Sequence, residues 1–214
     1  MEDCPEIFGS ANHFDRLLNK LRKWRTLSLK IAFPILIIDN ILRGKKPHEL
    51  LPGDRISAMA VVGMILVIVG ALLRFWARGH FLKGQLFTTG PYKVVRHPLY
   101  LGSLLIVIGV LFQLNGWLNW IVIIPLFAIF YGTSIVYEEK SLAKRFGKEW
   151  QEYKLTVPAF IPSTRKLFTV KKQQNWRWKT YLKTGELTTT VLVLSVPWLI
   201  EALEEFIFEG LLHV

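Results

Sequence analysis

Two short stretches concentrate the side chains that could do chemistry. One is Thr89-Gly90-Pro91-Tyr92-Lys93-Val94-Val95-Arg96-His97-Pro98-Leu99-Tyr100, and the other is Glu138-Glu139. A guanidinium, an imidazole and two carboxylates can bind charged groups, hold a cation or exchange a proton. Each stretch alone has a plainer reading. Arg96-His97 could be a basic tag before a helix, and the Glu pair could sit on a solvated helix face. Their weight depends on whether the fold brings them together.

The elements that must position them are apolar runs. Half the residues are hydrophobic, yet 20% are charged, a combination that fits a chain whose apolar residues are segregated. Residues 56–76 and 117–137 are nearly uninterrupted apolar runs, with Arg74 near the end of the first. At about 1.5 Å per residue each reaches roughly 30 Å, the thickness of a bilayer core. Residues 99–114 form a further run. Residues 27–42 are shorter and carry Lys30 and Asp39, and a mixed apolar stretch lies near the C-terminus. These patterns predict an all-α, polytopic transmembrane bundle of four or five spanning helices. The N-terminus reads as an amphipathic helix over 14–21 and not as a signal peptide, and one cysteine, Cys4, excludes an internal disulfide. Expected units are 1–55 (amphipathic segment and first membrane helix), 56–163 (core) and 164–214 (basic segment and last helix).

Charge sets the expected orientation. The net charge is +11, and twelve of the 27 Lys and Arg fall in 138–183, six in 1–30 and none in 113–117. Positive charge is retained on the cytoplasmic side, so the N-terminus, the 78–96 loop and the basic tail are expected there. The uncharged 113–117 turn is expected outside, which also places the basic 43–55 loop outside, against the rule. Trp24, Trp76, Trp117, Trp120, Tyr131 and Tyr137 are expected near helix ends, as interfacial aromatics. Asn115-Gly116 is a turn signal, so 99–137 reads as a helical hairpin. The start of its first helix and the end of its second return to one face, carrying Arg96-His97 and Glu138-Glu139 with them. Pro98 suits the first helical turn. Past the Glu pair, Leu142, Phe146, Trp150 and Tyr153 recur at helical spacing opposite Lys144, Lys148 and Glu152, which predicts an interfacial helix.

Gly90-Pro91-Tyr92, Arg96-His97-Pro98-Leu99-Tyr100, Glu138-Glu139, then Leu142, Phe146-Gly147, Trp150, Tyr153, Val157-Pro158 and Ile161-Pro162 resemble the isoprenylcysteine carboxyl methyltransferase family, whose pattern phospholipid methyltransferases largely share. The resemblance covers about residues 56–163. It implies an integral membrane methyltransferase with S-adenosylmethionine as cofactor, bound in a pocket at the cytoplasmic face. Gln85, Leu86, Phe87, Tyr92, His97, Pro98, Leu99 and Tyr100 would line that pocket. Glu138 would hold the amino-acid part of the cofactor, with Glu139 and Arg96 as a supporting ion pair. Methyl transfer from a sulfonium asks mainly for in-line placement and exclusion of water, and aromatic faces such as Tyr92 and Tyr100 favour the cation. No catalytic acid or base is therefore assigned, although an amine acceptor would give His97 or a Glu that role. Prenylcysteine enzymes of the family carry an Arg one turn before the Glu pair, suited to the substrate carboxylate. Ser134 stands there in this chain as the substrate-side residue, and it cannot make that bidentate contact.

The expected acceptor is a lipophilic small molecule or lipid. Phospholipid N-methylation is the alternative, and a non-catalytic membrane protein of the same fold a second one. The run from Lys171 to Lys179 mixes basic residues with Trp176 and Trp178. On a membrane protein this fits anionic lipid headgroups and not nucleic acid. Residues 188–208 could span the bilayer or lie on it. His13, His48, His80 and His213 show no metal-ligand spacing, so no metal is predicted, and the absence of Gly-x-Gly-x-x-Gly argues against a soluble Rossmann-type enzyme.

Overall fold

The computed structural model describes residues 31–32, 34–40, 43, 57–80, 85–114, 116–163, 176, 178–183, 187–188, 190–191, 194–195, 198–199 and 202. The amphipathic segment 14–21 lies outside them, as do Gly84, Asn115 and most of the 43–55 loop and of 188–208. Every regular element among the described residues is helical. Helix α1 is Ala58–Gly79, a 3₁₀ turn covers Gly90–Lys93, α2 is Pro98–Gln113, α3 is Trp117–Thr156 and α4 is Trp178–Lys183. Helices α1 and α3 are long and apolar enough to cross a membrane, while α2, of 16 residues, is apolar but shorter.

Helix α1 buries small residues on one side: Ala60, Gly63, Val67, Gly70, Ala71 and Ala77. Its other side exposes Met59, Val62, Ile65, Val69 and Leu72. In water that face would be costly. Against lipid tails it costs nothing, and the buried face must then associate by close packing. The packing is backbone against backbone. A Cβ on Gly63 would stand 2.6 Å from the Gly109 carbonyl oxygen, and one on Gly109 would stand 2.5 Å from that of Gly63. Two turns along, a Cβ on Gly70 would meet the Gly102 carbonyl at 2.6 Å. The glycines recur seven residues apart on both helices, so α1 and α2 run antiparallel with two crossing points. Val107 and Leu111 of α2 then pack with Ile123 and Phe127 of α3 and with Leu36 from the helical residues 34–40.

Helix α3 does not stop where the membrane would. Its first leg, from Trp117 to the break at Gly147, amounts to about 45 Å, longer than a bilayer core, so residues beyond Tyr137 stand outside it. The expected interfacial helix is thus the continuation of α3, broken at Gly147. That residue has φ 49° and ψ −116°, a conformation open to glycine and strained for others. The break turns the chain back. Glu139 and Lys154 are 15 residues apart, which a straight helix would separate by about 22 Å, yet their side chains bond. After α3, Pro158 and Ala159 accept backbone hydrogen bonds from Arg96 (2.8 Å) and His97 (3.3 Å), and Val94 accepts one from Ser163 (3.1 Å). The Val157-Pro158 ending is therefore laid along the Arg-His motif.

Trp176 packs on Gly79 and on Phe75, whose ring is 5.0 Å from it, and Trp178 and Tyr181 complete the cluster. Tyr131, expected at a helix end, instead lies within α3 and stacks on Phe127 at 3.9 Å.

Replacing Gly109 by Val should lower stability in detergent by about 1–3 kcal/mol, because the added atoms have a carbonyl to displace. Gly132→Ala is the matched control. A Cβ there meets nothing within 4 Å, so relief of glycine's backbone entropy should leave that variant neutral or up to about 1 kcal/mol more stable. Thermal unfolding of the two variants against the parent checks both signs.

Candidate active site

The site is built at one end of the bundle, where four pieces of chain meet: the Gly90–Lys93 turn with the residues after it, the start of α2, the middle of α3, and its returning leg. Pro98 occupies the first turn of α2, with His97 as the flanking residue whose carbonyl accepts from the Leu101 amide at 3.0 Å. Gly90 adopts φ +60° and lies over His80, where a Cβ would stand 2.6 Å from the ring. His80 in turn bonds the Trp76 carbonyl through Nδ1 at 2.9 Å.

The centre of the cluster is Glu139. Its Oε1 lies 3.1 Å from His97 Nε2 and 3.4 Å from Arg96 Nη2, and its Oε2 accepts from Lys154 Nζ at 2.9 Å. Burial by itself would raise this carboxyl. Donation from Lys154 and His97 and the charge of Arg96 outweigh it, and the group is held below the ordinary glutamate range. Arg96 also donates from Nη1 to the Lys154 carbonyl at 3.1 Å, near the end of α3, and its guanidinium lies 5.9 Å from the Trp150 ring. Cations at a helix C-terminus and over an indole are both favourable.

Glu138 behaves differently. Among the described residues it makes no hydrogen bond and no ion pair. Its charge is nonetheless felt by Tyr92 and Tyr153. Burial first, then the Glu138 charge, pushes the Tyr92 phenol well above its ordinary range, with Arg78 opposing. Burial likewise raises Tyr153, with Arg96 opposing and Glu138 adding to the rise. Both phenols stay protonated, and Tyr153 donates to the Tyr92 carbonyl at 2.6 Å. Phe87 and Tyr92 form a tilted ring pair at 5.5 Å. Leu86 packs on the Trp150, Tyr153 and Val157 cluster, while Gln85 is exposed.

Tyr100 lies edge-on between His97 (5.7 Å) and Tyr131 (5.9 Å). The Leu99 carbonyl accepts from Ser103 at 2.9 Å, and Arg74 reaches Ser103 and the same carbonyl. Ser134, one turn before Glu138, is fully buried, and its hydroxyl donates to the Phe130 carbonyl of its own helix at 2.8 Å. The motif residues are thus gathered at one end, and Ser134 faces inward. Sequence reasoning missed Lys154, Tyr153 as a donor, and Arg74. Tyr153 stood in the apolar stripe, whereas nothing in the sequence marked Lys154. Among the described residues no three His, Cys, Asp or Glu side chains group as metal ligands.

The profile of the phospholipid methyltransferase family matches residues 58–149. The chain is 27% identical over 212 residues, 96% of its own length and 92% of the relative's, to the cobalt-zinc-cadmium resistance protein CzcN of Cupriavidus metallidurans. It is 34% identical over 115 residues to protein-S-isoprenylcysteine O-methyltransferase of Saccharomyces cerevisiae, covering 48% of each chain. It is 36% identical over 90 residues to methanethiol S-methyltransferase 2 of Bradyrhizobium diazoefficiens, covering 40% of this chain and 32% of that one. The chain therefore spans nearly all of the first relative and half or less of the other two. No solved structure matches it.

Because the Glu139 carboxyl is depressed in the folded chain, its contribution to stability is fully present above the ordinary glutamate range of about 4.3 and is lost as pH falls through the folded value. Acid unfolding of the parent should therefore show a step that Glu139→Ala lacks. At neutral pH that variant should lose about 1.5–3 kcal/mol, the scale of hydrogen bonds to charged groups. Lys154→Ala, which removes a half-exposed partner, should cost less than about 1 kcal/mol. Chemical denaturation at pH 7 and pH 4 measures both.

Proposed function

We propose that this chain, which matches the phospholipid methyltransferase family profile over residues 58–149 and resembles isoprenylcysteine O-methyltransferases over about half its length, is a membrane enzyme that moves a methyl group from S-adenosylmethionine to a lipophilic acceptor. The observation that carries this reading is the contrast between two adjacent carboxylates. Glu139 is engaged by Arg96, His97 and Lys154, while Glu138 is left without a partner beside the buried Tyr92. An unpaired carboxylate in a partly desolvated place is costly, and an ammonium group relieves that cost.

The residues present fit this methyl donor. Glu138 is the counter-ion for its ammonium. The buried Nε of Arg96, which has no acceptor, suits its carboxylate. Phe87 and Tyr92 present aromatic faces, each worth about 0.5–2 kcal/mol to a nearby cation. Gln85, Leu86, His97, Pro98, Leu99 and Tyr100 form the remaining wall. Bound there, S-adenosylmethionine supplies a methyl carbon on a cationic sulfur, open to in-line attack by a nucleophile. The task of the chain is placement. Holding two reactants in near-attack geometry is worth roughly 7–11 kcal/mol, and the Glu139 cluster makes that wall rigid. Trp150, Tyr153 and Val157 pack over it and exclude water.

The exposed apolar faces of α1 and α3 give a lipophilic acceptor a lateral route to the same end. The site faces the cytoplasm, with the N-terminus and the basic 138–183 segment, and four or five helices span the membrane. The composition of the run 171–179, basic residues interleaved with Trp176 and Trp178, suits anionic headgroups.

Calorimetric titration of the detergent-purified full chain with S-adenosylhomocysteine tests the donor site. Micromolar binding is expected for the parent. Glu138→Ala should weaken it by at least about 1.5–3 kcal/mol, roughly ten- to a hundredfold, as loss of a charge-assisted contact requires. A folded parent that does not bind is incompatible with the reading.

A further inference from the structure

We infer that His97 is a general base, and that the methyl acceptor is a neutral group that must give up a proton as it is methylated, best matched by an apolar thiol. This rests on the methyl-transfer reading above and adds the acceptor class to it.

The tautomer of one ring decides which nitrogen can accept a proton. Glu139 sits between Arg96 and Lys154, and an ionised carboxylate only accepts hydrogen bonds. The nitrogen facing it at 3.1 Å, His97 Nε2, therefore carries a proton. In the neutral imidazole the lone pair then resides on Nδ1. That atom bonds to no described residue, although His97 is 3% exposed. The ring is also held in place. Its backbone amide donates to Ala159, Tyr100 meets it edge-on, and Phe160 lies 6.2 Å away. A buried imidazole oriented through one nitrogen by a carboxylate, with the other nitrogen available, is the arrangement that activates protonated nucleophiles.

The step balances. The S–H proton of the acceptor passes to His97 Nδ1, and the sulfur lone pair forms a bond to the methyl carbon. The bond from that carbon to the donor sulfur breaks, and its electron pair leaves the donor as a neutral thioether. The positive charge lost from the sulfonium reappears on the imidazolium, where Glu139 stabilises it.

Other acceptors fit less well. A carboxylate is already a nucleophile and has no use for a base. It would also find Arg96 and Lys154 already bound to Glu139 and the Ser134 hydroxyl bonded to Phe130. An amine is a poorer proton match. Free imidazoles, thiols and alkylamines titrate near about 6.5, 8.5 and 10.4. An imidazole thus deprotonates a thiol against a disadvantage of about a hundredfold, and an alkylammonium against about ten-thousandfold. The apolar requirement follows from the aromatic run Tyr100–Tyr131–Phe127, which leads from His97 into the apolar interior.

The test uses the detergent-purified full chain, a methyl-labelled donor, and three acceptors with the same tail: octanethiol, octylamine and octanoic acid. The parent should methylate the thiol at least about tenfold faster than either other acceptor. His97→Gln keeps a donor toward Glu139 but removes the base, and should lose about 10²–10⁴-fold at pH 7. Its rate should then recover about tenfold per pH unit up to the thiol's own titration, because a thiolate formed in solution needs no base. The charged and titratable groups facing His97 are Glu139 and, through it, Lys154 of α3, Arg96 beside it, and Tyr100 of α2. None of these supplies that slope in the variant alone. Faster methylation of the acid, or a loss in His97→Gln that stays constant with pH, overturns the inference while leaving methyl transfer in place. Failure of the folded parent to bind S-adenosylhomocysteine overturns the underlying reading, and the inference with it.

Discussion

A single carboxylate ties the functional end of this molecule together. Glu139 is four-fifths buried and draws Arg96, His97 and Lys154 to one point. The partners arrive on separate parts of the chain, Arg96 and His97 on the segment entering α2 and Lys154 on the returning leg of α3, while Glu139 itself stands in the middle of α3. An ion this far from water has to be compensated, so the positions of all three segments are coupled. If the return leg swung away, the carboxylate would lose Lys154. If the entering segment shifted, it would lose two donors and Trp150 would lose its cation. The cluster leaves Glu138 unpaired beside it, and the functional reading follows from that asymmetry.

The cluster can form only because the helices below it are fixed in depth. The paired glycine contacts of α1 and α2 allow no slip of a single residue without driving a side chain into a carbonyl. This sets the height at which α2 begins, and hence where Arg96 and His97 emerge. In α3 the corresponding device is Gly147. A helix that crosses the membrane and continues beyond it would carry Lys154 away from Glu139, and the glycine break returns it. Two kinds of glycine act here, one allowing close approach and the other an unusual backbone angle.

Much of this was legible in the sequence because it follows from topology. An apolar hairpin must return its ends to one face, so Arg96-His97 and Glu138-Glu139 could be placed together without coordinates. The start of α2 at Pro98 could be read from the ring's fixed geometry. What was not legible is non-local. The periodic stripe Leu142, Phe146, Trp150, Tyr153 gives the same pattern whether its helix is separate or continuous with the membrane span. The pairing of Arg96 and His97 with Pro158 and Ala159 joins backbone groups, which leave no trace in side-chain type. Lys154 is one of many lysines in a basic stretch, and only the fold-back distinguishes it. The seven-residue glycine spacing was present in both helices, but its meaning depends on knowing that they are partners.

The central claim is that adjacent carboxylates have separate duties, Glu139 holding the protein together and Glu138 holding the methyl donor. An experimental structure of the full chain with S-adenosylhomocysteine tests it most directly. The account predicts the ligand's ammonium within about 3 Å of a Glu138 oxygen, with Glu139 still bonded to His97, Arg96 and Lys154. A ligand whose ammonium sits on Glu139, displacing those partners, or that lies at another end of the bundle, would contradict it.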